Sequence, residues 1–296
     1  MKHVIFAIVS ACYLSACTAL MVPNSDRELL ELARSGNVAA QVHMGERYYN
    51  GVGVAQDYEK ARVWFSVAAE QGNTEAKYLL ARMSYLGQVA EPDMEQTRYW
   101  LERAAKKGHS EAQYFMGLIN ATGNIVERNP QQARQWYQRA AKQGYVAAQR
   151  NLAIMFLDGE GGEQDYQQAK NWFAKAAAEG DAAALHGLGA LYARGQGVEK
   201  DLERARELFT QAAVQGFPPA QYNLGAMHVW GIGAERDYEK AKQWLELSAQ
   251  ADYPKAQFNL GMLYEHGYGV KKDPAEANKW YRQACDGGHE DACRNL

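Results

Sequence analysis

The chain is short of proline, of unbalanced charge and of recognisable catalytic motifs. It contains 7 prolines in 296 residues, which argues against a long flexible linker. Its 32 Lys and Arg residues and 35 Asp and Glu residues give a formal charge of -3, and no run of five or six like charges occurs. The sequence therefore has no basic segment typical of nucleic-acid binding, and we expect no nucleic-acid partner. No serine lies in a Gly-x-Ser-x-Gly turn, the motif of many hydrolases.

The N-terminal apolar run is too short to span a membrane. About eleven mostly apolar residues extend from Val4 to Leu14, after the positive charge of Lys2, which is typical of a signal-peptide core. The segment then ends in Leu14-Ser15-Ala16-Cys17. This ending resembles the lipobox of bacterial lipoproteins, in which a branched apolar residue and two small residues precede a cysteine. An ordinary secretory signal and a chance cysteine are the alternatives.

The lipobox resemblance implies a processed, anchored protein. Residues 1–16 would be the signal peptide, Cys17 the lipidated residue and residues 17–26 a lipidated tether. Lipoprotein sorting in Gram-negative bacteria uses Asp after the cysteine as an inner-membrane signal, and position 18 holds Thr. The resemblance therefore implies a protein anchored by lipid alone in the bacterial envelope, at the outer membrane and facing the periplasm. Several acyl chains give stable anchoring where one is marginal.

The rest of the sequence repeats every 36 residues. Tryptophan occurs at 64, 100, 136, 172, 244 and 280, and alanine at 40, 76, 112, 148, 184, 220, 256 and 292. Glycine follows the same period from 36 to 288, with Asp252 the one departure. A fixed period of this length indicates stacked supersecondary units, and such arrays usually act as binding surfaces. The predicted repeats are residues 39–72, 75–108, 111–144, 147–180, 183–216, 219–252 and 255–288.

Each repeat predicts two helices joined by a glycine-containing loop. Apolar residues at i, i+3, i+4 and i+7 form the buried face of a first helix, which ends at Gly51 and its equivalents. Asp57 and its equivalents are N-caps of a second helix, whose buried face includes Ala61 and Trp64. A Gly or Ala at position 45 and its equivalents allows close helix contact. Residues 27–36 match a second helix alone, and residues 289–296 match the start of a first helix.

The repeat pattern resembles the Sel1-like repeat, a relative of the tetratricopeptide repeat. Residues 255–288 carry it well, with Ala256, Leu260, Gly261, Trp280 and Gly288 in the characteristic places. The resemblance covers residues 27–296. It implies an all-α fold, a right-handed α-solenoid of seven helix–turn–helix repeats with partial capping helices. It also implies that the first helices line a concave side.

Positions 42, 46, 49 and 50 of each first helix share one face and are free for a partner. On this face we predict a groove that binds a protein or peptide, because exposed aromatic and Arg side chains are common at binding hot spots. The alternative is that the aromatic side chains at position 42 and its equivalents pack on the next repeat. The predicted binding residues are Tyr78, Tyr85, Tyr114, Arg150, Arg194, Tyr222, Trp230 and Phe258.

Two cysteines lie near the end of the chain, Cys285 and Cys293. Cysteine-rich Sel1-like proteins bridge such a pair within each repeat, so the resemblance implies a disulfide here. Two free buried thiols are the alternative, and a zinc site using His289 lacks a fourth ligand. His186, His228 and His266 lie on separate repeats. We therefore expect no metal and no cofactor.

The resemblance leads to two hypotheses of function. The first is a non-enzymatic envelope lipoprotein that acts as a scaffold for protein–protein interaction. The second is a binder of peptidoglycan fragments or β-lactam-like ligands with weak hydrolase activity, as in the cysteine-rich relatives. The second requires a nucleophile and a base in one groove, and the sequence shows no such pair.

Overall fold

A computed structural model describes residues 26–296, and every regular element in that range is a helix. The predictions for residues 1–25, including lipidation of Cys17, lie outside this range. None of the helices in residues 26–296 has both the length and the apolar character needed to cross a bilayer. The helices are α1 (Asp26–Arg34), α2 (Val38–Asn50), α3 (Tyr58–Glu70), α4 (Thr74–Leu86), α5 (Met94–Lys106), α6 (Ser110–Thr122), α7 (Pro130–Lys142), α8 (Val146–Asp158), α9 (Tyr166–Ala178), α10 (Ala182–Arg194), α11 (Leu202–Val214), α12 (Pro218–Trp230), α13 (Tyr238–Gln250), α14 (Pro254–His266), α15 (Pro274–Asp286) and α16 (Glu290–Arg294).

The chain forms two compact units. The first ends at Tyr145 and the second comprises Val146–Leu296. In both units, even-numbered helices are the predicted first helices and odd-numbered helices the second helices, and within a unit each helix packs against its neighbours in sequence. Helices α1 and α16 are the partial units predicted at either end of the repeats. Buried Ala, Leu and aromatic side chains between successive helices form the cores.

The predicted helix ends are confirmed. In the first repeat, Gly51 takes a left-handed conformation with φ 71° and closes α2. The Asp57 side chain then accepts a hydrogen bond from the backbone N–H of Lys60 in α3. Equivalent caps occur in every later repeat, at Asp93, Asn129, Asp165, Asp201, Asp237 and Asp273. Because the caps satisfy the free N–H groups of the first turn, local sequence alone sets where each second helix begins.

The small residue at position 45 is required by an aromatic ring. A Cβ at Gly45 would lie 2.4 Å from the Phe65 ring, and one at Gly117 would lie 2.5 Å from the Tyr137 ring. Phe65 and Tyr137 are buried in the second helix of the same repeat. The prediction of close helix contact at this position is therefore confirmed, and the large partner is the residue after the Trp position.

The Trp position itself is less buried than predicted. Trp172 is buried, but Trp64, Trp100, Trp136 and Trp280 are partly exposed at the edge of the core. The residue after each of them is buried, and in three repeats this side chain, that of Phe65, Tyr137 or Tyr281, lies over the glycine of the first helix. Glycine in the Gly-x-Gly loops also allows close packing. The second glycine, for example Gly197, sits against the backbone of Tyr166, where a Cβ would be 2.7 Å away.

Candidate functional site

In the second to seventh repeats, the equivalents of position 42, which we call the bridging position, connect one first helix to the start of the next. The side chain at the bridging position meets the residue 31 places later, just before the next first helix. Tyr78 stacks on His109 with ring centroids 4.8 Å apart, and Phe258 stacks on His289 at 4.4 Å. The remaining pairs are Tyr114 with Tyr145, Arg150 with Asp181, His186 with Phe217 and Tyr222 with Tyr253.

Tyr78 is the clearest correction to the predicted site. It is 4 % exposed and also stacks on Phe115 in α6. Burial raises the pKa of its hydroxyl, and the hydrogen-bonded carboxylate of Glu111 raises it further. A side chain that stacks on two rings and is almost fully buried is not available to a partner. Tyr85, which is 9 % exposed, is likewise buried rather than available for binding.

The other four predicted residues at the bridging position are partly buried and hold repeats together. The Arg150 guanidinium forms an ion pair with the Asp181 carboxylate at 2.6 Å. Asp181 also caps α10 by accepting from the Ala184 N–H, so the ion pair ties one first helix to the start of the next. Tyr114, Tyr222 and Phe258 connect successive first helices through ring contacts. The alternative reading, packing on the next repeat, is the one that the structure supports.

Two of the predicted residues, Arg194 and Trp230, meet in one pocket of the second unit. Trp230 is 56 % exposed at the end of α12, and Ile232 just after it is 53 % exposed. We call this site, of about 290 Å³, the α10–α12 pocket. Its lining residues are Ala190, Ala193, Arg194, Lys200, Leu202, Phe209, Asn223, Ala226, Met227, Trp230 and Ile232.

The lining of the α10–α12 pocket is mostly apolar, and its charged side chains are positive. The apolar residues include Ala190 and Ala193 of α10, Ala226 of α12 and Phe209 of α11. The charged residues in its lining, Arg194 and Lys200, are both cations. Exposed apolar surface beside an open pocket is the usual feature of a binding site rather than of a core.

A half-buried histidine, His186, contacts two residues of the pocket lining, Phe209 and Asn223. His186 packs against Phe209 and Phe217, and its Nε2 lies 3.0 Å from the Asn223 side-chain nitrogen. Burial lowers the pKa of His186 to about 4, and the charge of Arg194 contributes. The imidazole is therefore neutral near pH 7 and accepts a hydrogen bond from the Asn223 amide. This bond orients one polar side chain in the pocket wall.

Comparison with known proteins identifies the repeat. The family profile described as "Sel1 repeat" matches residues 38–73, 74–109, 110–145, 146–181, 182–217, 218–253 and 254–289. The chain belongs to the Sel1 repeat family. Its fold is thus an α-solenoid of seven Sel1 repeats. Sel1 repeats commonly mediate protein–protein interactions, and proteins built from them are generally non-enzymatic scaffolds.

Two solved Sel1 repeat structures are similar to this chain. One is c5321, described as a protective antigen present in uropathogenic Escherichia coli strains, with 33% identity and a TM-score of 0.80. That match covers 90% of this chain and 57% of the antigen, so this chain spans little more than half the antigen's length. The other is a Sel1 repeat protein from Oxalobacter formigenes, with 32% identity, a TM-score of 0.73 and coverage of 90% and 78% of the two chains. Comparison with curated proteins found no match.

The predicted disulfide of this Sel1 repeat protein is present. Cys285 in α15 and Cys293 in α16 are joined, with their Cα atoms 4.8 Å apart. Within residues 26–296, no three His, Cys, Asp or Glu side chains gather in a way that would hold a metal ion. His186, His228 and His266 lie on three different first helices.

Sequence reasoning missed two groups of residues. Buried glutamines at position 41 and some equivalents reach back to the preceding second helix, as when Gln41 donates to the Ala33 carbonyl. Ile232 was missed as the neighbour of Trp230 across the glycine cap. Both groups could have been found from the sequence. Glutamine recurs at 41, 113, 149, 221 and 257. Trp230 and Ile232 are large apolar residues at two positions that are polar in most other repeats.

Proposed function

We propose that this Sel1 repeat protein is a non-enzymatic scaffold that binds a protein or peptide at the α10–α12 pocket. The observation that carries the proposal is the exposure of Trp230 and Ile232 beside Arg194 in that pocket. Trp and Arg are the side chains that most often dominate binding energy at interfaces. Neither Trp230 nor Ile232 is needed to fill the core, so their exposure is not explained by folding.

The chemistry of the pocket supports binding over catalysis. Its lining contains no hydroxyl, thiol, imidazole or carboxylate side chain. A hydrolase acting on β-lactam-like ligands would need a nucleophile with an adjacent base, and the lining of the α10–α12 pocket contains neither a hydroxyl or thiol nucleophile nor a carboxylate or imidazole base. Its polar side chains, those of Arg194, Lys200 and Asn223, are suited to recognition.

The binding proposal is tested by site-specific cross-linking in cells. A photo-cross-linking amino acid replaces Ile232 in one strain and Val214, an exposed residue of α11 in the same unit, in the control strain. We expect a discrete cross-linked species from position 232 and none of the same mass from position 214. The same species should disappear when Trp230→Ala is added. Identical cross-links from both positions, or insensitivity to Trp230→Ala, would refute the proposal.

We further propose that the scaffold is anchored by lipid on Cys17 and faces the periplasm from the outer membrane. The lipobox resemblance of residues 14–17 and the Thr at position 18 support this. Metabolic labelling with a clickable palmitate analogue tests it. Label should be lost in Cys17→Ser and retained in Cys285→Ser, and globomycin should block processing. Label that persists in Cys17→Ser would exclude the anchor. Thr18→Asp should move the protein to inner-membrane fractions.

A further inference from the structure

The charge of the α10–α12 pocket has the opposite sign to the protein as a whole. The chain carries a formal charge of -3, whereas the charged side chains lining the pocket are Arg194 and Lys200. Within residues 26–296, neither cation forms an ion pair with a carboxylate. Many other cations of the chain do, such as Lys240 with Asp237 at 3.1 Å. Two uncommitted cations at the rim of an apolar pocket favour a ligand that brings negative charge.

Lys200 does not form a hydrogen bond that several other repeats make at the same position. At the equivalent position of three other repeats, the side chain donates to a carbonyl near the end of the first helix. These bonds are Gln56 to Tyr49, Arg128 to Ala121 and Gln164 to Leu157, at 2.9, 3.0 and 2.6 Å. Lys200 makes no such bond and lines the pocket instead. Its placement is therefore not explained by closing the loop of its own repeat.

The combination of residues occurs at one place in the sequence. The two positions of Arg194 and Lys200 hold Asn50 and Gln56 in the first repeat, and no repeat other than the fifth has Lys or Arg at both. The two positions of Trp230 and Ile232 hold polar residues in the third, fourth and fifth repeats. These positions are mostly exposed, so packing does not dictate the difference. Two neighbouring repeats thus bring a cationic pair and an apolar pair to a single pocket.

We propose, building on the function above, that the occupant is an acidic peptide segment with an apolar anchor. One apolar or aromatic side chain of the segment enters the α10–α12 pocket against Trp230 and Ile232. Asp or Glu side chains on either side of it pair with Arg194 and Lys200. The pocket volume of about 290 Å³ lies just below the range of about 300 to 1,000 Å³ that is typical of small-molecule sites. A volume of this size suits a single anchoring side chain. The guanidinium of Arg194 offers a paired set of donors that matches a carboxylate.

Synthetic peptides test this chemistry with the purified full chain. The probe is an acetylated, amidated fluorescent peptide in which glutamates flank a central leucine–phenylalanine pair. One comparison peptide replaces the glutamates by lysines, and another replaces the apolar pair by serines. Fluorescence anisotropy should show that the glutamate peptide binds at least about tenfold more tightly than the lysine peptide or the serine peptide. Its affinity should fall as the salt concentration rises. Failure of the glutamate peptide to bind would overturn the inference.

Protein variants then locate the interaction. Arg194→Glu with Lys200→Glu should reverse the preference towards the lysine peptide. Lys271→Glu with Lys272→Glu is the matched control, since it makes the same change in net charge on another exposed loop of the unit and should leave the preference unchanged. A glutamate-to-lysine affinity ratio that stays within twofold of wild type in the first variant would refute the assignment of the two cations.

A milder variant keeps the test valid if charge reversal disturbs folding. Lys200→Gln installs the residue that already occupies this position as Gln56 and Gln164, so the loop is expected to fold. This variant should bind the glutamate peptide several-fold more weakly and should bind the serine peptide with unchanged affinity. An unlabelled peptide whose sole negative charge is its free C-terminal carboxylate should not compete. Competition by that peptide would overturn the choice of acidic side chains as the source of charge.

The outcome separates this inference from the proposed function. If Trp230→Ala abolishes the cross-link in cells but charge reversal does not, the pocket binds a partner and the acidic chemistry is wrong. If Trp230→Ala leaves the cross-link intact, the binding function itself is wrong.

Discussion

Truncating Tyr78 and Trp230 to alanine should have opposite consequences for stability and binding. Tyr78 is 4 % exposed and stacks on His109 and Phe115, so Tyr78→Ala removes nearly all of a buried aromatic ring. Such truncations lower the free energy of unfolding by about 3–5 kcal/mol. Trp230 keeps 56 % of its surface exposed, so its truncation should cost about 2 kcal/mol or less from buried area.

A conservative variant separates the packing and hydrogen-bonding contributions of Tyr78 to the free energy of unfolding. Tyr78→Phe keeps the ring and removes the hydroxyl that contacts Glu111, and it should cost about 1 kcal/mol. Urea unfolding followed by circular dichroism gives the midpoints, compared where the slope is unchanged. Cross-linking from position 232 should survive both Tyr78 variants whenever the protein is folded. A Tyr78→Ala loss no larger than that of Trp230→Ala would refute the assignment of the bridging position to repeat packing.

Three further changes test the framework of the repeat. Asp252 holds the position that is glycine in other repeats and has φ 55°, so Asp252→Gly should stabilise by about 0.5–1 kcal/mol in thermal unfolding, and Gly216→Asp should destabilise similarly. Burial raises the pKa of Glu111, so folding favours its neutral form. The resulting stability is present below the ordinary pKa and lost as pH rises through the raised value. Glu111→Gln should therefore gain stability over wild type as pH rises above that value, and an advantage confined to acidic pH would contradict this. Replacing Cys285 and Cys293 by serine should free α16 locally, at about 2–3 kcal/mol for so short a loop, and speed hydrogen exchange of its amides. Unchanged exchange would show that burial of the helix suffices.

The sequence alone determined the repeating frame of the protein. Caps and left-handed glycines act within a few residues, so the pattern around Gly51 and Asp57 was enough to place the helix ends. The small residue at position 45 likewise implied a close neighbour. These features are local or recur in nearly every repeat, and for that reason one sequence on its own was enough to reveal them.

Only the tertiary structure decided which side chains of the first helices are free. Tyr78 and Trp230 both occupy the face predicted for binding, yet one is clamped by a residue 31 places later and the other is exposed. Tyr78 lies at the bridging position, which the start of the next first helix covers, whereas Trp230 is the last residue of α12 and stays exposed. Helical periodicity places both on one face and does not show which part of that face is covered. The meeting of Arg194, Lys200 and Trp230 likewise arises from stacking, because residues of neighbouring repeats share a pocket only once their helices pack side by side.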